Sequence, residues 1–184
     1  MGETAHPEGP WYGLLPRDGF IEQLAAGEPG WLVTVDIDHI KRANDTYGLY
    51  AGDGVLAAVA GVVRAAAGGP VVAARMSGDE FALWCPGGTE EAAVSLAEGV
   101  RKAVHDARVP LDWAQRYTHE SLVAELVAYR PSVTVAVAPR LAGDADVLDV
   151  WRRADHAMGR AKNGGRDRVV VEHRAGLPGN IDNP

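Results

Sequence analysis

Two hydrophobic periods run along this chain. The β-branched run at 31–37 (WLVTVDI) suits a central strand, since a strand covered on both faces needs no polar alternation. Runs at 71–76, 80–85, 132–138 and 168–171 predict four more strands. Between them the spacing turns helical. A short helix follows the turn at 13–17, with Phe20, Ile21 and Leu24 on one side, and 27–30 breaks it. Residues 41–47 make a polar helical turn ending at Gly48. Gly52-Asp53-Gly54 then opens a long helix carrying Val55, Leu56, Val59, Val62 and Val63, which Gly68-Gly69-Pro70 stops. Thr89 caps a helix over 89–107, with Glu90 and Glu91 favouring its first turn and Ala93, Leu96, Val100 and Val104 on its buried stripe. Residues 113–128 predict one further helix, and 144–162 another, striped by Val147, Trp151, Ala154, Met158 and Ala161. The order is an α+β or α/β layout with helices packed on one sheet. Residues 1–12 read as a flexible leader, 13–172 as the domain, with an extra segment at 108–130, and 173–184 as a disordered tail.

Composition narrows the classes. Of 184 residues, 47% are hydrophobic and 23% charged, which excludes a disordered chain. The net charge of −7 leaves no broad positive field for a nucleic acid polymer, so any phosphate must meet local cations or a metal. A single cysteine, Cys85, excludes an intrachain disulfide and suggests a reducing, cytoplasmic setting. No secretory leader is visible. The Ala/Val-rich stretch 55–74 is interrupted by Gly68-Gly69-Pro70 and so does not read as a membrane span. No HExxH spacing or phosphate-cradling G-x-x-x-x-G-K-[ST] occurs, and Cys85, beside Trp84 on a strand, reads as core.

Two acidic clusters fall at strand ends. Asp36 and Asp38 close the first strand, and Asp79 and Glu80 occupy the tip of a hairpin that turns at Ser77-Gly78-Asp79. If the hairpin pairs beside the first strand, the clusters converge, and two or three hard oxygen ligands suit Mg²⁺ with substrate phosphates. Small residues at Ser77 and Gly78 would let a large substrate approach the backbone. The plainer reading is that Asp and Gly are ordinary turn residues. Lys162 and Arg166 flank a glycine turn at 163–165, where they suit either a polyphosphate or the C-terminal end of a helix dipole.

The motifs at 36–48 (DIDHIKRANDTYG), 52–53 (GD), 75–81 (RMSGDEF) and 154–168 (ADHAMGRAKNGGRDR), with the opening turn at 13–17 (GLLPR), resemble the GGDEF-domain family of bacterial diguanylate cyclases, in order from about 13 to 171. The resemblance implies an α+β fold, a single mixed, mostly antiparallel sheet flanked by helices, like the palm of nucleotidyl cyclases. It implies condensation of two GTP into cyclic di-GMP, with Mg²⁺ or Mn²⁺ held by Asp36, Asp79 and the carbonyl of Ile37. Glu80 is then the remaining signature acid, needed for turnover alongside Asp79. Asn44 and Asp53 read the guanine edge, and Asp53 can accept from the N1–H and exocyclic amine that adenine lacks. Lys41, Lys162 and Arg166 meet phosphates, and Ser77 and Gly78 border the substrate. One GTP per chain implies a symmetric homodimer.

The chain departs from the family at several points. Ser77 stands at the first signature position in place of glycine, Met76 replaces an aromatic residue, Leu49 a histidine and Ile40 a phenylalanine. The product-inhibition motif Arg-x-x-Asp should lie at 68–71, where Gly68, Gly69, Pro70 and Val71 stand instead, so no such inhibitory site is expected. The 108–130 segment, with Trp113, Tyr117 and Tyr129, reads as an extra helix padding the sheet edge, or as a surface for a protein partner or a second copy. Two further readings stay open beside a lone cyclase without a sensor domain: a module that binds GTP with little or no turnover, and a synthase of an altered cyclic dinucleotide.

Overall fold

The computed structural model describes residues 13–26, 28–48 and 50–173; the expected leader, Leu49 and 174–184 of the expected tail lie outside them. Helix α1 (Arg17–Ala26) precedes strand β1 (Gly30–Ile37), followed by α2 (Ile40–Tyr47) and α3 (Ala51–Ala66). The hairpin β2 (Val72–Ser77) and β3 (Glu80–Pro86) leads to α4 (Glu90–Asp106), α5 (Leu111–Tyr117), a 3₁₀ turn (Glu120–Leu122) and α6 (Val123–Ala128). Strand β4 (Val133–Arg140), α7 (Val147–Asn163) and β5 (Val169–Val171) complete it. The sheet order is β2-β3-β1-β4-β5. β1 pairs antiparallel with β3 and β4, and β5 runs parallel to β4. This is the mixed, mostly antiparallel sheet expected.

β1 sits at the centre because its alternate side chains are apolar in both directions. Val33, Val35 and Ile37 join one core with Val55, Val59 and Val63 of α3 and Val100 and Val104 of α4. Leu32 joins the opposite core with Phe20, Leu24, Trp84, Val150 and Ala154, beneath α1 and α7. Thr34 and Asp36 share that second face by alternation, so the strand carries its carboxylate out from under α7. Among the described residues no helix is long and apolar enough to cross a membrane.

Three local expectations are corrected. The helix expected over 113–128 is broken: Thr118 is extended (φ −126°, ψ 147°), and the His119 ring accepts from the Ser121 N–H to start a new turn. The helix expected from 144 begins at Val147, because Asp146 caps it through the Leu148 N–H at 2.7 Å. Its buried stripe runs through Val150, Arg153, Ala154, Ala157 and Ala161. A buried arginine takes a core position there: Arg153 pairs with Asp144 and donates to the Pro139 carbonyl at 3.0 Å. Finally, the 108–130 segment packs on α3, not along an edge strand, burying Val109, Ala114 and Leu126 in the α3/α4 core. The Thr89 cap holds, accepting from the Ala92 N–H at 3.2 Å.

Candidate active site

The hairpin does pair beside β1, with Glu80 opposite Asp36. A bulge between Arg75 and Ser77 shifts the register so that Ser77, not Met76, faces Glu80. The Ile37 N–H donates to the Asp79 carbonyl at 3.2 Å, which fastens the tip to the end of β1. Asp36 is 8% exposed, and Lys162 from α7 donates to its Oδ2 at 2.8 Å. Burial pushes the Asp36 carboxyl above its usual range; Lys162 pulls against this, and the charges of Asp79 and Glu80 add to it. A site that crowds three acids against one ammonium is short of positive charge.

Asp38, the other acid at that strand end, is spoken for. It is buried and accepts from Ser132 Oγ at 2.8 Å, Thr134 Oγ1 at 2.6 Å and the Asp167 N–H at 3.2 Å. It ties the turn after α7 to the sheet. Arg101 and His105 of α4 hold the Asp167 carboxylate from the other side. Among the described residues no three His, Cys, Asp or Glu side chains form a ready-made metal cage. The donors expected there, the Asp36 and Asp79 carboxylates and the Ile37 carbonyl, stand at the end of β1 and at the hairpin tip fastened to it. A set this small suits a cation that keeps waters and takes further ligands from phosphates.

Asn44 and Asp53 come together on the α2–α3 corner. The Gly52 N–H donates to Asn44 Oδ1 at 2.7 Å, so the oxygen is engaged and the NH₂ is the group left to donate to a base. A Cβ on Gly52 would meet Asn44 Oδ1 at 2.6 Å, so glycine is the space in which the amide sits. Asp53 is exposed on the first turn of α3. Of the expected phosphate cations, Lys162 is seated on Asp36, whereas Lys41 and Arg166 are exposed. Arg166 and Asp167 hold left-handed backbone (φ 61° and 44°) in the turn that Asp38 anchors.

Gly78 has no such local reason. Its φ lies outside the left-handed region, and a Cβ there would meet no atom within 4 Å. The hairpin does not need this glycine to fold, and the space above the tip is open. The Ser77 hydroxyl, next to it, donates to Glu80 Oε2 at 2.6 Å.

Two residues without an assigned role belong to the site. Arg75 donates to the Gly78 carbonyl through Nε at 3.1 Å and Nη2 at 2.7 Å. Burial lowers its guanidinium's pKa, and the charges of Asp53 and Asp79 raise it again, so it lies between the corner and the tip. Asp155 faces Glu80 from α7: partial burial and the Glu80 charge push its carboxyl up. Asp155 and Lys162 are seven positions apart on α7 and share a face, a spacing that pattern reading can use. A small cavity lined by Thr34, Asp36, Glu80, Trp151 and Asp155 lies under the tip. The buried Thr34 Oγ1 and Trp151 Nε1 have no hydrogen-bond partner among the described residues. Cys85 is buried on the opposite face, and burial pushes its thiol up to about 11, as expected of a core residue.

The arrangement has relatives. The chain is 33% identical to the diguanylate cyclase DgcM of Escherichia coli over 157 residues, covering 85% of this chain and 34% of that protein. It is 36% identical to the diguanylate cyclase DgcP of Pseudomonas aeruginosa over 140 residues, 76% of this chain and 19% of that one. The chain thus spans about a third or less of these relatives' length. The crystal structure of the GGDEF domain of DgcB from Caulobacter crescentus, in complex with c-di-GMP, superposes with a TM-score of 0.77 at 28% identity, covering 95% of this chain and 99% of that one. The family model described as "Diguanylate cyclase, GGDEF domain" matches residues 20–168, and with the acidic tip and the Asn44/Asp53 corner it places this chain in the GGDEF-domain family.

Proposed function

We propose that this protein is a diguanylate cyclase that condenses two GTP into cyclic di-GMP. The observation that carries the reading is the tip itself: three acids gathered under an open glycine that the hairpin does not require. Asp36, Asp79 and the Ile37 carbonyl hold Mg²⁺ or Mn²⁺, which supplies charge neutralisation at the transferring phosphate. Lys162 orients Asp36 and, with Lys41 and Arg166, meets the triphosphate. Asn44 and Asp53 select guanine.

In each half-reaction the 3′-oxygen of one GTP attacks the α-phosphorus of the other. The O3′–P bond forms, the bond to pyrophosphate breaks, and Glu80 takes the 3′ proton. Repeating this in the reverse sense closes the ring and releases the second pyrophosphate. Two chains face each other across their tips as a homodimer. A cytoplasmic setting goes with a nucleoside triphosphate substrate.

One observation favours a second reading, a GTP-binding module of slow turnover. The Ser77 hydroxyl occupies Glu80, the group that should handle the proton. One assay separates the readings: incubate the protein with Mg²⁺ and GTP, or GTP plus ATP, and identify products by chromatography and mass. Cyclic di-GMP that disappears in Asp79→Ala supports the first reading. Saturable GTP binding without product supports the second, and a mixed dinucleotide supports the altered-product synthase.

A further inference from the structure

The 108–130 segment grips the corner between α2 and α3 at successive points. The Tyr129 ring stands edge-on to Tyr47 with centroids 6.0 Å apart. The Tyr117 carbonyl lies 4.0 Å from where a Cβ of Gly48 would stand, and the Tyr117 ring is 5.4 Å from that of Tyr50. The Trp113 indole N–H donates to the Tyr50 carbonyl at 3.2 Å. That same carbonyl accepts the first intrahelical bond of α3, from the Gly54 N–H at 3.3 Å. One turn along, a Cβ on Gly54 would meet Val109 Cγ1 at 2.7 Å and Trp113 Cδ1 at 2.8 Å, so α3 is shaped to let the segment close on it.

The segment buries Val109, Ala114 and Leu126 in the core and leaves Leu111 55% and Tyr117 38% exposed, while its ring and hydrogen-bond contacts fall on 47–54. Asn44 and Asp53 stand on the two helices that meet at this corner. The orientation of Asn44 depends on their relation, because its partner is the α3 amide of Gly52. A slip of about 1 Å between α2 and α3 would break that bond and separate the two groups that must meet one base edge together.

We infer that the 108–130 segment is a clamp that fixes the angle of the α2–α3 corner and so sets how Asn44 and Asp53 engage the base, with Trp113 as its positioning residue. The inference rests on the reading of Asn44 and Asp53 as the groups that recognise guanine. Trp113 touches no substrate in this scheme; it acts through the Tyr50 carbonyl and Gly54.

The test compares the wild-type full chain with Trp113→Ala and Gly54→Ala. It measures kcat and KM for GTP and for inosine triphosphate, which lacks the exocyclic amine, and hydrogen exchange at the Gly52 amide without nucleotide. Trp113→Ala should raise KM for GTP roughly tenfold, shrink the preference for GTP over inosine triphosphate, move kcat far less, and speed Gly52 exchange. Gly54→Ala should do the same by wedging the clamp open, although alanine favours the helix. Folded variants with wild-type KM, base preference and Gly52 protection overturn the clamp. A wild-type protein that binds neither nucleotide overturns the guanine reading instead, and Gly52 exchange then decides the clamp alone.

Discussion

The Ser77 hydroxyl donates to Oε2 of Glu80 across 2.6 Å, joining the two ends of the hairpin tip. That bond occupies Oε2 and aims Glu80 at the chain's own turn. Restoring glycine at 77 frees the carboxylate to turn outward, so Ser77→Gly should raise kcat for cyclic di-GMP formation by roughly three- to tenfold, within what one charge-assisted hydrogen bond supplies. An initial-rate assay with quantified product checks this. An unchanged or lower kcat in the glycine variant shows that the serine is no brake.

Asp36 makes the folded chain less stable than it could be. Burial holds its carboxyl above the usual 3.8, with Lys162 offsetting part of the effect and Asp79 and Glu80 adding to it. Between the unfolded and the higher folded value, the folded state keeps a proton that the unfolded chain has already lost. Stability from this group is full below about 3.8 and falls as the pH rises through the higher folded-state value. Asp36→Asn should stabilise metal-free protein at neutral pH by roughly 0.5–2 kcal/mol, seen as a higher Tm, and change it little near pH 3. Activity should be lost. Thermal melts with and without Mg²⁺ check the sign: the ion should stabilise the wild type and leave the variant unmoved.

Gly52→Ala tests whether the amide pocket is specific. The new Cβ would stand 2.6 Å from Asn44 Oδ1 and must displace it. Alanine favours the helix by up to about 1 kcal/mol over glycine, so the fold should be kept. GTP affinity should drop roughly tenfold, the cost of about one buried hydrogen bond. Calorimetric titration beside a melting curve separates the two effects, and undiminished affinity would show that Asn44 does not read the base.

The turn at 68–71 joins α3 to β2 and closes on itself, Gly68 and Val71 exchanging two backbone hydrogen bonds of 3.1 and 3.0 Å. Its side chains offer no cation or carboxylate to a phosphate or a guanine edge. Product should therefore slow the reaction only by competing with GTP. A plot of rate against GTP at several cyclic di-GMP concentrations should show competitive inhibition. A non-competitive pattern that vanishes when 68–71 is altered would contradict this.

Pattern reading found the strands because β1, β3 and β4 are buried on both faces and their runs are largely apolar. It placed the acids at strand ends, and register then set Glu80 against Asp36. It did not separate Asp36 from Asp38, since alternation puts both on one face; only the hydroxyls of Ser132 and Thr134, nearly a hundred residues on, mark Asp38 as structural. Likewise, the helical spacing ran through Thr118, which is extended, and His119, which caps a new turn. Arg153 spoiled the expected stripe of α7 because a buried ion pair mimics an apolar position. What escaped is what depends on partners distant in the chain.

The carboxylates and Lys162 are borne by β1, the hairpin and α7, which the sheet locks together, while Asn44 and Asp53 ride on a corner held from outside by α5 and α6. On the proposed reading, chemistry and base choice would have separate mechanical supports. Exchanging the outer segment would then retune which nucleotide enters, while the machinery for joining phosphate to sugar stays as it was.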